Sequence, residues 1–402
     1  MISNIKPRFT SILLVLGLFL LSYSSLAITP WLFSDETFHL YKYLFRALLI
    51  SASALILIIF IQLTVRQVIP KKLKNIILLL GSILLAFYVL ELIFMFIPIS
   101  TGGADSLCSK NWFQYHWREN ELGYRDGEVL VPPDNAKKNL LIIGDSYVAG
   151  HGIDNPSDRF SDILGDRLKE TMNTFNLGVC GIDTQEEYER MLKYPIEPDI
   201  LILVHTPNDI RSAVSNEMAQ SLLGFKKISD VIPDSDINRS FIKERSFLVN
   251  FIWLNYSNYR QTLTSERLRD SFQSFEQFLK SDISKSHLVS YYNNESVLKI
   301  HLAHVNEFIQ YTRNKDKTLI VLLFPWLNKN NFDISNEYMN AHLERYLNKN
   351  KTRVINLHSI LEGIGEEDRI VGHYDNHPSE LVHQLVADHL TQYINQLNTK
   401  PN

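Results

Sequence analysis

The chain has 402 residues, 45% of them hydrophobic and 21% charged, and a formal net charge of -4. That near-neutral balance, with no basic run, speaks against nucleic acid as a partner, and the two cysteines form neither a metal-ligand spacing nor a CxxC redox pair. The length suggests two or three structural units rather than one.

Apolar residues are unevenly spread. Residues 1–100 are dominated by Leu, Ile, Phe and Ala and hold apolar segments at about 9–29, 44–65 and 75–97. Each approaches the roughly 20 residues that an α-helix needs to cross a bilayer, so residues 1–98 are expected to form a membrane region of three transmembrane helices. Ser25-Leu-Ala27 resembles a signal-peptide cleavage site, but the length of the first segment and the spans behind it favour a retained helix. Lys6 and Arg8 precede the first segment, and Arg66, Lys71, Lys72 and Lys74 separate the second from the third. The positive-inside rule then puts the N-terminus and this loop in the cytoplasm. Everything after about residue 98 is expected to face the periplasm or cell exterior, most naturally from a bacterial inner membrane. Glu91, in the outer half of the third segment, is costly against lipid and should reach the interface or pair with another helix.

Residues 99–139 are too rich in aromatics, with Trp112, Tyr115 and Trp117, to be a free tether, and are expected to pack on the domain that follows. From 140 onward, short apolar runs alternate with helical patterns. Strands are expected at 140–144, 173–177, 199–204, 317–325 and 353–357, and helices near 157–172, 184–193, 297–312, 335–348 and 379–396. Such alternation predicts an α/β domain over 140–398, a parallel sheet flanked by helices. The stretch of about 210–296 falls outside that repeat. With its apolar patch Phe247-Leu-Val-Asn-Phe-Ile-Trp-Leu254 it reads as a mostly helical cap over the site, or alternatively as a packing layer or a surface resting on the membrane.

Four blocks within this domain carry chemistry. Leu140-Leu-Ile-Ile-Gly-Asp-Ser146 is a buried strand ending in a serine at the sheet edge where α/β ligands bind. Asn176-Leu-Gly-Val-Cys-Gly181 offers a glycine-lined loop, and Ile200 to Asp209 is a strand ending in Pro207-Asn-Asp. Tyr374-Asp-Asn-His-Pro378 precedes the last helix. This order, GDS, N-x-G-x-x-G, ND and then Asp/His-Pro, resembles the SGNH or GDSL-type serine hydrolases over roughly residues 120–398. The resemblance implies an SGNH-hydrolase-like, flavodoxin-like sheet behind the three-helix anchor, and esterase or acyltransferase chemistry.

It also implies roles, each with a plainer counterpart. Ser146 is the nucleophile, where the residues alone allow a turn serine. Its own N–H, the Gly181 N–H and the Asn208 side chain form the oxyanion hole, although Gly178 could take the place of Gly181, and Asn208 could simply end a strand. Thr206-Pro207 stands where the family has a glycine two positions before the asparagine. His377 is the general base and Asp375 its orienting carboxylate; the family places that acid three residues before the histidine, where this chain has Tyr374. Asp209 reads as structural. His151 and His205 are kept as pocket residues only, and His373, His383 and His389 lack the spacing of a metal site. Cys108 and Cys180 allow one disulfide or two separate thiols.

No metal and no cofactor are expected. The reading is a membrane-anchored, extracytoplasmic serine esterase or O-acyltransferase that acts on acyl, most naturally acetyl, esters of envelope glycan or lipid through an acyl-serine. A partner integral membrane protein could donate an acyl group. The rival from another class is a non-catalytic membrane protein that uses this fold to bind glycan or a partner in polysaccharide assembly.

Overall fold

The computed structural model describes residues 39–66, 70–100, 106–127, 133–214, 244–256, 288–328 and 332–399. The first apolar segment, about 9–29, lies outside the described residues, as do 215–243 and 257–287 of the long insertion. Along the chain run helices α1 (His39–Arg66), α2 (Lys71–Met95) and α3 (Leu107–His116), then strand β1 (Lys138–Gly144), α4 (Phe160–Leu168) and β2 (Met172–Gly178). Next come α5 (Thr184–Lys193), β3 (Ile200–His205), α6 (Phe247–Tyr256), α7 (Glu295–Asn314) and β4 (Thr318–Leu323). The chain ends with α8 (Ala341–Lys349), β5 (Arg353–Asn356), β6 (Ile370–Gly372), β7 (Asp375–Pro378) and α9 (Glu380–Thr399).

Two compact units share these elements. One gathers the described residues up to Ile99 with 106–111 and 244–256. Its helices α1 and α2 are long and apolar enough to cross a membrane, with windows of mean hydropathy 2.2 and 2.6. Most of that apolar surface is left uncovered by the chain itself, for example Leu79, Leu80 and Ile83 at 58–62% exposure. The apolar patch of the insertion is helical, as α6, and belongs to this unit rather than to the unit that holds Ser146.

Glu91 explains how α6 is held. Its carboxylate accepts from Arg46 Nη2 at 3.0 Å, Ser246 Oγ at 2.7 Å, and the backbone N–H groups of Phe247 and Leu248 at 2.9 and 3.0 Å. The first N–H groups of a helix have no partner within it and carry its positive dipole end, so a carboxylate there satisfies both. The charge that would be costly against lipid is thus buried and paired.

The other unit is built on a five-stranded sheet in the order β2-β1-β3-β4-β5, every pairing parallel. Its strands alternate strictly because successive side chains point to opposite faces. Leu140, Ile142, Ile202, Val204, Ile320 and Leu322 pack under α4 and α9. Leu141, Ile143, Leu201, Leu203, Val321 and Leu323 pack on the opposite face with residues of α5, α7 and α8. Both faces are covered, which is why these runs read as continuously apolar. The chain leaves β1 toward β2 and then crosses to β3, so the strand order reverses between β1 and β3. A crevice opens at such a switch point, outside the carboxyl ends of the strands.

One element departs from expectation. Asp375–Pro378, for which no strand was expected, form β7, an antiparallel partner of β6.

Candidate active site

Ser146 opens a single helical turn, Ser146–Ala149, immediately beyond β1. Asp145 caps it by accepting from the Tyr147 N–H at 2.9 Å, and Gly150 ends it in the left-handed region at φ 72°. The turn lies against β2 so closely that a Cβ on Gly178 would stand 2.2 Å from the Ala149 nitrogen. Glycine is therefore required at 178 for packing. Gly181 is different: it is exposed, with φ at 81°, on the loop between β2 and α5.

His377 reaches the serine from β7, its Nε2 lying 2.8 Å from Ser146 Oγ. Asp375 sits behind it. Its Oδ1 makes a short hydrogen bond with His377 Nδ1 and accepts from the His377 backbone N–H at 3.1 Å. The strand accounts for the two-residue spacing. In extended backbone, residues i and i+2 project on the same side, so an acid two before the histidine stands beside it. An acid three before would need a turn.

Two further donors reach the second oxygen of Asp375. His151 Nδ1 lies 3.1 Å from Oδ2, and Ser100 Oγ also bonds to it. Burial opposes ionisation of this carboxyl, yet the bonds from His151 and His377 hold it well below the usual carboxylate range. The facing atoms of His151, Asp375 and His377 lie within 4.8 Å of one another. Each is taken by a hydrogen bond inside that trio.

Asn208 arrives from the far side of the switch point, on a 3-10 helix, Pro207–Ala213, that follows β3. Thr206 anchors that helix: its N–H donates to Asp209 Oδ2 at 2.8 Å, and its hydroxyl donates to Asp145 Oδ2 at 3.0 Å. Asp209 thus holds the loop, and Thr206-Pro207 builds a capped helix where the family's glycine would stand. The Asn208 carbonyl oxygen stands beside Thr206 Oγ1, and its amide nitrogen faces Asp145 Oδ2 at 3.3 Å. An amide has two N–H donors, so one is not needed for that contact. Burial pushes the Asp145 carboxyl up, against the hydrogen bonds it accepts.

A pocket of about 350 Å³ opens over these groups, lined by Ser146, Asn208 and His377 together with Arg211, Trp326, Asn328, Tyr374 and Asn376. Ser146, His377 and Asn208 therefore meet in one cleft with Asp375 behind it, whereas Gly181 is not among the residues that line it. A serine hydroxyl beside an imidazole backed by a carboxylate can transfer its proton and attack a carbonyl.

Several histidines find other employment. His205 does not line the pocket; it is buried, its Nε2 3.0 Å from His301 Nε2, and burial pushes it down to about 3. His383 Nδ1 accepts from the Phe160 N–H at 3.1 Å and so fastens α9 to α4. Cys108 and Cys180 are free thiols. The contact that sequence reasoning missed is that of His151 with Asp375. Its only signal is a place five residues after the serine, between Gly150 and Gly152.

Comparison with known proteins places these groups in context. The sequence profile of the GDSL-like lipase/acylhydrolase family matches residues 142–385. Among solved structures, a lipolytic protein of the G-D-S-L family from Desulfitobacterium hafniense aligns at 12% identity and a TM-score of 0.36, covering 64% of this chain and 99% of that one. An acetyl-xylooligosaccharide esterase from Geobacillus Stearmophilus aligns at 12% identity and a TM-score of 0.35, covering 64% and 94%. A family two carbohydrate esterase from Clostridium thermocellum aligns at 14% identity and a TM-score of 0.32, covering 68% of each chain. No curated protein matches the chain.

Proposed function

Because this chain belongs to the GDSL-like lipase/acylhydrolase family and is an ester hydrolase of the SGNH/GDSL type, we propose that Ser146, His377 and Asp375 carry its chemistry. In this reading His377 Nε2 takes the Ser146 proton as the hydroxyl oxygen attacks an acyl carbonyl. Asp375 steadies the imidazolium, and His377 then returns the proton to the departing alcohol. The developing oxyanion is met by the second N–H of Asn208 and the backbone N–H of Ser146. The Gly181 N–H is assigned as third donor from its place in the N-x-G-x-x-G run, not from a contact. The observation that carries the reading is the 2.8 Å separation of His377 Nε2 and Ser146 Oγ.

The pocket is near the small end of ligand sites, which suits a short acyl group such as acetyl. Its rim of Arg211, Asn328, Asn376, Trp326 and Tyr374 suits a polyhydroxylated alcohol such as a sugar. The uncovered apolar helices α1 and α2 support a membrane anchor. The basic residues between them, Arg66, Lys71, Lys72 and Lys74, support a cytoplasmic loop, with Ser146 on the other side of the membrane. Envelope glycan or lipid esters are then the substrate class, and the acyl-serine passes to water or to a sugar hydroxyl.

The test uses the full chain in detergent. A fluorophosphonate probe should label the wild type at Ser146, and a chromogenic acetyl ester should be cleaved. If acetyl is diverted to an added glycan, the enzyme is a transferase; release unaffected by glycan marks an esterase. A folded wild type that neither labels nor cleaves would sink the reading in favour of a binding module.

A further inference from the structure

We propose that His151 is a positioning residue for this reaction, a second imidazole that holds Asp375 by its other oxygen so that the carboxylate stays aimed at His377. This rests on the hydrolase reading above and adds to it a residue outside the serine, histidine and acid.

The geometry carries the argument. An ionised carboxylate is acceptor-only, so the 3.1 Å contact requires the proton on His151 Nδ1. Burial lowers the proton affinity of the ring more than the bond to Asp375 raises it, which keeps His151 a neutral donor. A neutral donor fixes Oδ2 without cancelling the charge that His377 needs when it becomes an imidazolium. Around the His151 ring stand Asp375, His377 at 4.2 Å between centroids, and the aromatic rings of Trp112 and Phe113 at 5.3 and 5.2 Å. The charged group of Arg125 faces the same loop. Its guanidinium donates to the carbonyls of Gly150 and Ile153 at 2.5 and 2.6 Å, which pins the backbone on both sides of His151. A buried ring so confined has one orientation to offer.

Rate loss alone would not separate positioning from folding, so the test compares three variants of the full chain on a chromogenic acetyl ester between about pH 5 and 9. His151→Ala should lose about 10-fold in kcat with KM little changed, the cost of one hydrogen bond to a charged group. Its acid limb should move to higher pH by roughly half a unit, because a carboxylate with one donor fewer presses more negative charge on the His377 imidazolium. His151→Asn places an N–H where Nδ1 was and should recover most of the rate and the original limb. His151→Gln places its amide further out and should not.

Equal behaviour of the Asn and Gln variants, or a folded Ala variant with wild-type kcat and acid limb, would overturn the proposal and leave the hydrolase reading intact. An inactive, unlabelled wild type would overturn both.

Discussion

Ser146 Oγ and His377 Nε2 lie 2.8 Å apart although 231 positions separate them in the chain. The parallel sheet brings the end of β1 to the cleft, and β7 returns the histidine to it. Replacing Ser146 by Ala should abolish covalent labelling. His377→Gln should reduce kcat by about 10⁴-fold or more, since in the proposed reading the same imidazole takes the serine proton and passes it to the departing alcohol. Mass spectrometry of the probe-treated protein and ester turnover check these outcomes.

Asp375→Asn keeps the shape and removes the negative charge and an acceptor, so the His377 ring loses its preferred tautomer. The expected loss in kcat is about 10⁴-fold with the fold retained. Stability gives an independent readout. A carboxyl held below its unfolded value contributes stability that is present above that value, about 3.9, and is lost as pH falls towards the folded one. Wild type should therefore lose more stability than the Asn variant on acidification below about pH 4, measured by urea titration.

Asn208 lines the cleft, and its amide nitrogen faces Asp145. Asn208→Ala should lower kcat by about 100- to 1000-fold with a small effect on KM, the usual cost of one oxyanion donor. A fall in kcat/KM caused by KM alone would make Asn208 a binding residue instead. Steady-state kinetics on the same ester decide between them.

Glu187 on α5 is fully buried, and neither carboxylate oxygen has a hydrogen-bond partner among the described residues. Burial, with Asp209 and Asp145 nearby, raises its proton affinity well above the ordinary glutamate value. A group raised in this way contributes stability below its unfolded pKa, about 4.3, and loses it as pH climbs towards the folded one. Glu187→Gln, which cannot ionise, should therefore gain on the wild type as pH rises. A gap of about 1 kcal/mol, or roughly 2–4 °C in Tm, is expected at neutral pH. Melting curves of both proteins from acid to neutral pH test the sign.

Glu91 joins α2 to the start of α6 and to Arg46. Removing one partner of a buried pair typically costs about 3–5 kcal/mol because the other charge is left uncompensated. Glu91→Ala should expose residues 244–256 to cleavage in limited proteolysis of the detergent-solubilised chain, while turnover by the other unit is retained. Unchanged cleavage would mean that α6 is held by its apolar contacts alone.

Much of this protein was legible in one dimension because its signals are local. A strand buried on both faces must be continuously apolar, so Leu140 to Ile143 and Ile200 to Val204 announce a parallel sheet. The Gly-Asp-Ser turn and the Asn-Asp pair follow the ends of β1 and β3 and mark them by their residue types, whereas the Asp-Asn-His-Pro run is itself the strand β7. Even the two-residue spacing of Asp375 and His377, a departure from the family, becomes intelligible once β7 is seen to be extended.

What the chain order could not supply is which distant groups become neighbours. Gly178 and Gly181 look interchangeable in sequence, yet one is crowded by Ala149 and the other lies open. His151 and His205 looked equivalent beside the site, yet one holds Asp375 and the other pairs with His301. Composition and periodicity determined the sheet, the apolar helices and the residue types at the cleft, because burial acts on each segment separately. The tertiary structure alone decided the partners of Asp375, Asn208 and Glu91, because a hydrogen bond depends on tenths of an ångström between atoms that the backbone path, not the spacing of residues, brings together.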